Sequence, residues 1–267
     1  MSARRRPKMH RRELLGLGVM LPFINFRPTP AKADDTSFST DGRATLKAYK
    51  GLVEEHLTGT MNALKALAVT SDAKSEDWAQ IKPALKVFRG TLASAAAVWY
   101  AEADGSYYTA EGDLSEQSLS DREYFPKLMS GEDIDGVLVI SKSTGHRSVI
   151  VATPIKKEEQ VIAALGTSIR ADRLSELVEL RTDLPKDLVF YAIDSKGQTA
   201  IHKDQEKMFA FPSDLGDESL KAAVETMLSS GQGSVSYQFQ GTSRRALFEA
   251  SDATGWRFVL AKAMNGS

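Results

Sequence analysis

One pattern recurs along this chain, and it restricts the fold more than composition does. A short strand signal, Val98-Trp99-Tyr100-Ala101, runs into a turn at Asp104-Gly105 and returns through Tyr107-Tyr108-Thr109. The same order appears at Val189-Phe190-Tyr191-Ala192, the turn Asp194-Ser195-Lys196-Gly197 and a return through Ile201. Asp-Gly between apolar runs is a strong hairpin signal. Each hairpin precedes a helix and a three-strand meander. In the first copy, Asp121-Arg122-Glu123-Tyr124-Phe125 opens a short helix. Residues 136–141 and 147–155 read as strands around the turn Lys142-Ser143-Thr144-Gly145, and a charged turn at 156–159 leads to a third strand, 160–169. In the second copy, the helix 218–228 precedes strands at 233–239, 243–250 and 256–262. The repetition predicts an α+β protein with two copies of one module, each an antiparallel sheet with flanking helices.

A long helix stands in front of both copies. Leu46, Tyr49, Val53, Leu57, Thr60, Met61, Leu64 and Leu67 recur at spacings of three and four, drawing one apolar stripe. The helix is expected from residue 44 to near 70, after a polar leader at 34–41. At about 26 residues it would be ~40 Å long, a spine or a dimer seam. A second helix is expected at 75–88, capped by Ser75, buried through Trp78, Ile81, Leu85 and Phe88, and kinked by Pro83. Residues 111–119 read as a polar loop. Residues 172–180 read as a helix that Pro185 closes, with Leu174, Leu177 and Val178 on one face. The expected divisions are a signal at 1–33, leader and spine at 34–74, a first module with its connecting helix at 75–186, and a second module at 187–267.

The first 33 residues read as an export signal. Six basic residues between Arg4 and Arg12 precede a mostly apolar stretch at 14–26, and Ala31-Lys32-Ala33 offers a small-x-small cleavage site. Arg11-Arg12 before Glu13-Leu14-Leu15 resembles a twin-arginine signal. A periplasmic location after cleavage at Ala33 is therefore expected. Removing the segment takes away eight of the 34 basic and one of the 35 acidic residues, leaving a net charge of −8. A body that acidic is not expected to bind nucleic acid, whose phosphates need clustered Lys and Arg. The chain has no cysteine, which excludes disulfides and thiol chemistry. Its four histidines lack metal-ligand spacing, and Asp133-Ile134-Asp135-Gly136 lacks the later ligands of a calcium loop. No nucleophile elbow, phosphate loop or dinucleotide fingerprint occurs in the mature chain. Neither a catalytic role nor a metal or cofactor is expected.

Two modules behind one long helix resemble the double Cache family of extracytoplasmic sensor domains, whose modules are PAS-like. The resemblance covers residues 44–264. It rests on the motif 121–125, on Ile140-Ser141-Lys142-Ser143-Thr144-Gly145, on the strand 161–169 and on the second hairpin and meander. It implies a small-molecule site in the first module, read out by a membrane histidine kinase, a cyclase or a chemoreceptor. This sequence stops just after its last strand, so signalling is expected through docking on such a partner.

The resemblance places Arg122 at the carboxylate clamp of amino-acid-binding members. A guanidinium can grip a carboxylate with two parallel charge-assisted bonds. Tyr124 falls at an aromatic pocket wall. The acidic residue that would meet an ammonium corresponds to Ser141, the tyrosine two earlier to Val139, and the aspartate of the last strand to Ser168. A small organic anion without an amine, most simply a carboxylate, is thus the expected ligand. Lys142, Ser143, Arg147 and Thr167 would add donors, and Tyr100 and Tyr107 would wall the pocket. In the second module Tyr191, His202, Lys203 and Arg245 offer contacts, with structural use expected to dominate. The alternative reading is a protein with no small-molecule ligand, acting through a homodimer or docking seam along the stripe 46–67.

Overall fold

The computed structural model describes residues 33–264, with side chains from Phe38 onward. The expected signal, from the basic start through Arg11-Arg12 to Ala31-Lys32, lies outside the described residues. Helix α1 spans Ala33–Ala68. It begins earlier than expected, because residues 34–41 continue the helix rather than form a leader. Its apolar stripe is buried: Leu46, Tyr49, Val53, Leu57 and Leu64 are at most 1% exposed. Each such side chain contributes roughly 1.5–3 kcal/mol through removal from water.

Helix α2 spans Trp78–Thr91 and contains Pro83 without ending there. Its cap is Asp77, not Ser75: the Asp77 carboxylate accepts from the Ala79 amide at 2.9 Å. Ser75 closes a preceding single turn instead, accepting from the Asp77 amide and donating to the Asp72 carbonyl.

The first sheet contains β1 (Ala95–Glu102), β2 (Ser106–Thr109), β3 (Leu114–Ser118), β4 (Ile134–Ile140), β5 (Arg147–Lys157) and β6 (Gln160–Arg170). Its order is β3-β2-β1-β6-β5-β4, all antiparallel. The short helix α3 (Phe125–Met129) precedes β4, and α4 (Ala171–Thr182) leads onward. Strand β3 corrects the expected loop at 111–119. It lies at the sheet edge with no fully buried residue, so it carries no apolar alternation to announce it.

The second sheet contains β7 (Leu188–Ile193), β8 (Thr199–His202), β9 (Gln232–Phe239), β10 (Thr242–Ala250) and β11 (Arg257–Ala263). Helices α5 (Pro212–Leu215) and α6 (Glu218–Ser229) lie between β8 and β9. The order β8-β7-β11-β10-β9 is that of the first sheet without β3. The duplicated pattern is therefore a duplicated topology.

Both modules share one core. The main cluster joins the α1 stripe to Val98, Tyr100, Val149, Val151 and Leu165 of the first sheet, and to Phe190, Leu247, Phe258 and Leu260 of the second. Inside it, the Tyr49 hydroxyl donates to the Tyr191 carbonyl at 2.6 Å and accepts from the Val259 amide at 2.7 Å. The indole N–H of Trp256 donates to the Gly136 carbonyl at 2.9 Å, tying one module to the other. The residues expected to form a dimer or docking seam thus meet the chain's own two sheets. The outward face of α1 carries exposed polar groups such as Lys47, Glu55 and Asn62.

Candidate functional site

Each sheet has one face on α1 and one face turned away from it, here called the far face. Register decides which residues lie where. In the first sheet Trp99 stands opposite Gly166 and Thr109, and Ala101 opposite Ala164 and Tyr107. Directly opposed side chains share a face. Trp99, Ala101, Tyr107 and Ala164 therefore line the far face, and Ser168 continues the row beside Ile150. Tyr100, Leu165 and Thr167 alternate onto the α1 face.

Helix α3 covers this far face with Phe125 and Leu128. The expected cavity is largely filled by its own side chains. Trp99, Tyr107 and Tyr124 are 2%, 1% and 4% exposed. The Trp99 ring lies on Gly166, where an added Cβ would come within 2.1 Å of it. A side-chain-free position lets the indole lie flat on the sheet, under the cover of Tyr124, Phe125 and Leu128.

Polar groups gather at the rim. Arg122 donates through Nη2 to the Ile140 carbonyl at 2.7 Å. Its Nε is buried and has no hydrogen-bond partner among the described residues. Burial pushes the Tyr124 hydroxyl upward in pKa, and the nearby Arg122 charge opposes that shift. The Tyr107 hydroxyl and Ser143 Oγ are 3.0 Å apart. Lys142 donates to the Ser118 carbonyl at 2.6 Å and to the Asp121 carboxylate at 2.5 Å. That hydrogen bond holds the Asp121 carboxyl below its usual range. Ser141 is buried, and its backbone closes the turn with Gly145 and His146.

The structure thus brings together Arg122, Tyr124, Tyr107, Lys142 and Ser143, with Ser141 and Ser168 behind them. Three expected residues lie elsewhere. Tyr100 packs in the α1-side core and stands 6.4 Å from the Tyr108 ring. Thr167 is on that same face, where its hydroxyl donates to the Ala97 carbonyl at 2.9 Å. Arg147 points out of the first module altogether, toward the Gln205 carbonyl, and lines a cleft with Asp172 and Met208. Strand alternation excludes Tyr100 and Thr167; Arg147 opens β5, at the edge that faces the second module.

The far face of the second sheet differs. Tyr191 stands opposite Val259 and His202, and Arg244 opposite Tyr237. Tyr191 stacks on His202 at 5.6 Å and 21°, and its hydroxyl is 3.4 Å from that of Tyr237. A cavity remains here, lined by His202, Lys203, Lys207, Phe239 and Arg244 among others. Burial, with Lys207 adding to it, lowers the His202 pKa to about 4. Of the expected contacts Tyr191, His202 and Lys203 line this space, but Arg245 does not. Arg244 takes its place, since Arg244, Ala246 and Phe248 alternate onto the far face while Arg245 falls between them.

The Cache domain family model matches residues 36–265. The chain belongs to the Cache domain family. No curated protein matches it by sequence. Among solved structures it is similar to the sensory domain of the Campylobacter jejuni chemoreceptor Tlp3 with isoleucine bound. That match has a TM-score of 0.66 at 14% identity and covers 89% of this chain and 98% of that one. It is similar to the ligand-binding domain of the Pseudomonas aeruginosa amino acid chemoreceptor PctB in complex with L-Arg, with a TM-score of 0.70 at 14% identity, covering 85% and 96%. At such identity the likeness establishes the fold, a pair of Cache modules behind one helix. Cache domains are sensor modules, and that is the class of role this chain carries rather than catalysis. Among the described residues no helix is long and apolar enough to cross a membrane.

Proposed function

We propose that this Cache protein is an exported sensor that takes a small organic anion, most simply a carboxylate, at the rim of its first module. The observation that carries the reading is Arg122, a cationic group beside Tyr124 whose buried Nε has no hydrogen-bond partner among the described residues. Leaving such a donor unmade costs ~1–3 kcal/mol, and a ligand oxygen would recover it. The bonds that close the rim, Arg122 to Ile140 and Tyr107 to Ser143, are ones a carboxylate can replace. Opening them would let the far face adjust around a ligand. The neighbouring receptors were solved with isoleucine and L-arginine, both of which contain a carboxylate. Val139, Ser141 and Ser168 supply no negative charge for an ammonium group, and an unpaired buried charge is costly. The ligand is therefore an anion without an amine.

Residues 75–186 form the sensing module in this reading, and residues 187–267 the second. The segment 1–33 delivers the chain to the periplasm, with cleavage after Ala33. A membrane histidine kinase, cyclase or chemoreceptor reads the state of the shared core around α1. A ligand moves that state only by as much as its affinity differs between the two forms.

Thermal shift and calorimetry with acetate, propionate, lactate and succinate, beside glycine and alanine, test the proposal. A binding carboxylate at 100 times its Kd should add ~2.7 kcal/mol of stability. Arg122→Met should abolish the effect, and Arg122→Lys should weaken it at least tenfold. Equal binding of amino acids, or an Arg122→Met variant with unchanged affinity, refutes the reading.

A further inference from the structure

The second far face carries two recesses that share Tyr191, His202, Lys207, Tyr237 and Phe239. They are two lobes of one space. The larger, about 120 Å³, adds Lys203, Asp204 and Arg244 to its lining. The smaller, about 40 Å³, adds Pro212, Leu215 and Leu220, from α5 and α6. The larger lobe is thus the more charged, while the smaller, which keeps His202 and Lys207 and adds Thr199, ends on apolar carbon at Pro212, Leu215 and Leu220.

The charged lobe has a positive excess. Lys203, Lys207 and Arg244 face it against the single carboxylate of Asp204. His202 is neutral near pH 7, because burial and Lys207 hold its pKa near 4. Two of the three cations already have acceptors. Lys203 donates to the Leu188 carbonyl at 2.8 Å, and Lys207 donates to Asp204 at 2.5 Å while lying over the Phe239 ring. Arg244 is different. Its Nε is buried with no hydrogen-bond partner among the described residues. The hydroxyls of Tyr191 and Tyr237, which also line the lobe, are 3.4 Å apart and turned to each other. A buried guanidinium N–H is retained in a protein when something supplies an acceptor.

We propose that this space is a second binding site, for a short monocarboxylate with an apolar tail. Arg244 grips the carboxylate through Nε and a terminal nitrogen, the planar fork that fits two carboxylate oxygens. The tail enters the lobe of Pro212, Leu215 and Leu220. An α-amino group would add a cation to a lobe already rich in them. A second carboxylate would have to be buried against apolar carbon. Aliphatic or aromatic monocarboxylates satisfy both constraints. The site involves no residue of the first module, so it stands apart from the role given to Arg122.

Pentanoate is the probe, titrated into the whole chain and followed by ¹H–¹⁵N correlation spectra, whose readout is local to each module. Saturable shifts are expected on the β7–β8 hairpin and along β9 and β10 around Arg244. Arg244→Met should weaken pentanoate at least tenfold, and Arg244→Lys, which keeps the charge but not the fork, should also weaken it. Because Arg244 Nε has no hydrogen-bond partner among the described residues, the Met variant should melt no lower than the parent. The proposal is overturned by no shifts in the second module, by unchanged affinity in Arg244→Met, or by binding of inorganic phosphate but not pentanoate. A Met variant that melts far lower also overturns it, since Arg244 would then be a structural residue. Should that variant not fold at all, the location of the pentanoate shifts in the parent and the Lys variant's affinity still decide.

Discussion

Trp99 and Tyr191 occupy matching places in the two modules, each on the far face of the strand that opens the hairpin. Trp99 faces Gly166 across the ladder, and its ring lies down on the sheet. Tyr191 faces Val259, which denies it that space, and it stacks instead on His202. One backbone topology therefore gives a filled wall in the first module and a two-lobed recess in the second. The residue opposite the aromatic differs, glycine in the first and valine in the second, and so does the helix that covers the face.

The sharpest way to break that comparison is to fill the glycine. Gly166→Ala should destabilise the chain by about 3 kcal/mol, the upper end of overpacking costs, because the Trp99 ring must lift off the sheet. Gly233→Ala in the second module meets only the end of the Phe248 ring at 2.8 Å, and should cost about 1 kcal/mol. Urea denaturation measures both; equal losses would show that the Trp99 placement is not what closes the first module.

The shared core gives a second test. Tyr49→Phe removes the hydroxyl that serves both the Tyr191 carbonyl and the Val259 amide, and should cost about 2 kcal/mol. Both modules should still unfold in one transition, since the α1 stripe continues to join them. Two separated transitions in calorimetry would show that this hydrogen-bonded tie, not the apolar stripe, couples the sheets.

Acid should act on the modules with opposite sign. His202, with a folded pKa near 4 and an ordinary value of 6.5, takes up its proton more readily when unfolded. Its contribution is fully present above about pH 6.5 and is lost as pH falls toward 4, amounting to about 1–2 kcal/mol at pH 5. Asp135 on β4 is raised to about 6 by burial first and by Asp133 after it, against the backbone amide of Gly136. Its proton is favoured in the folded state, so its contribution grows as pH falls from above 6 toward 4. Denaturation midpoints at pH 7 and pH 5 should show His202→Asn removing a loss and Asp135→Asn removing a gain. The same pH response in both variants would overturn the assignment.

The smallest effect is expected at the surface tie between the modules, Lys196 to Glu123 at 2.6 Å. Both side chains are largely solvated, and exposed pairs contribute little. Glu123→Gln should leave the melting temperature unchanged within error. A clear drop would mean that the buried Trp256–Gly136 bond is not the main polar link between the modules.

Much of this was legible in the chain itself. The order of hairpin, helix and meander, met twice, set the topology, because turn residues and period-two alternation act locally. The stripe from Leu46 to Leu64 announced a buried helix face by the same local logic. Arg122 and Tyr124, picked out by resemblance, and Tyr107, Lys142 and Ser143, picked out as strand and turn neighbours, do gather at one rim. Strand β3 was not legible, since an edge strand with no buried face leaves no periodic trace.

What only the tertiary structure decided is where each face points and what stands across from it. A stripe of leucines reads the same whether it meets a second copy or the chain's own sheets, and here two sheets further down the chain cover it. Tyr100 and Thr167 looked like pocket residues until register turned them toward α1, and Arg245 gave way to Arg244 for the same reason. Alternation along a strand is written in the sequence, but the choice of which alternate set meets the core is made by long-range pairing. A glycine opposite a tryptophan, 67 positions apart in the chain, carries no local signal of that kind.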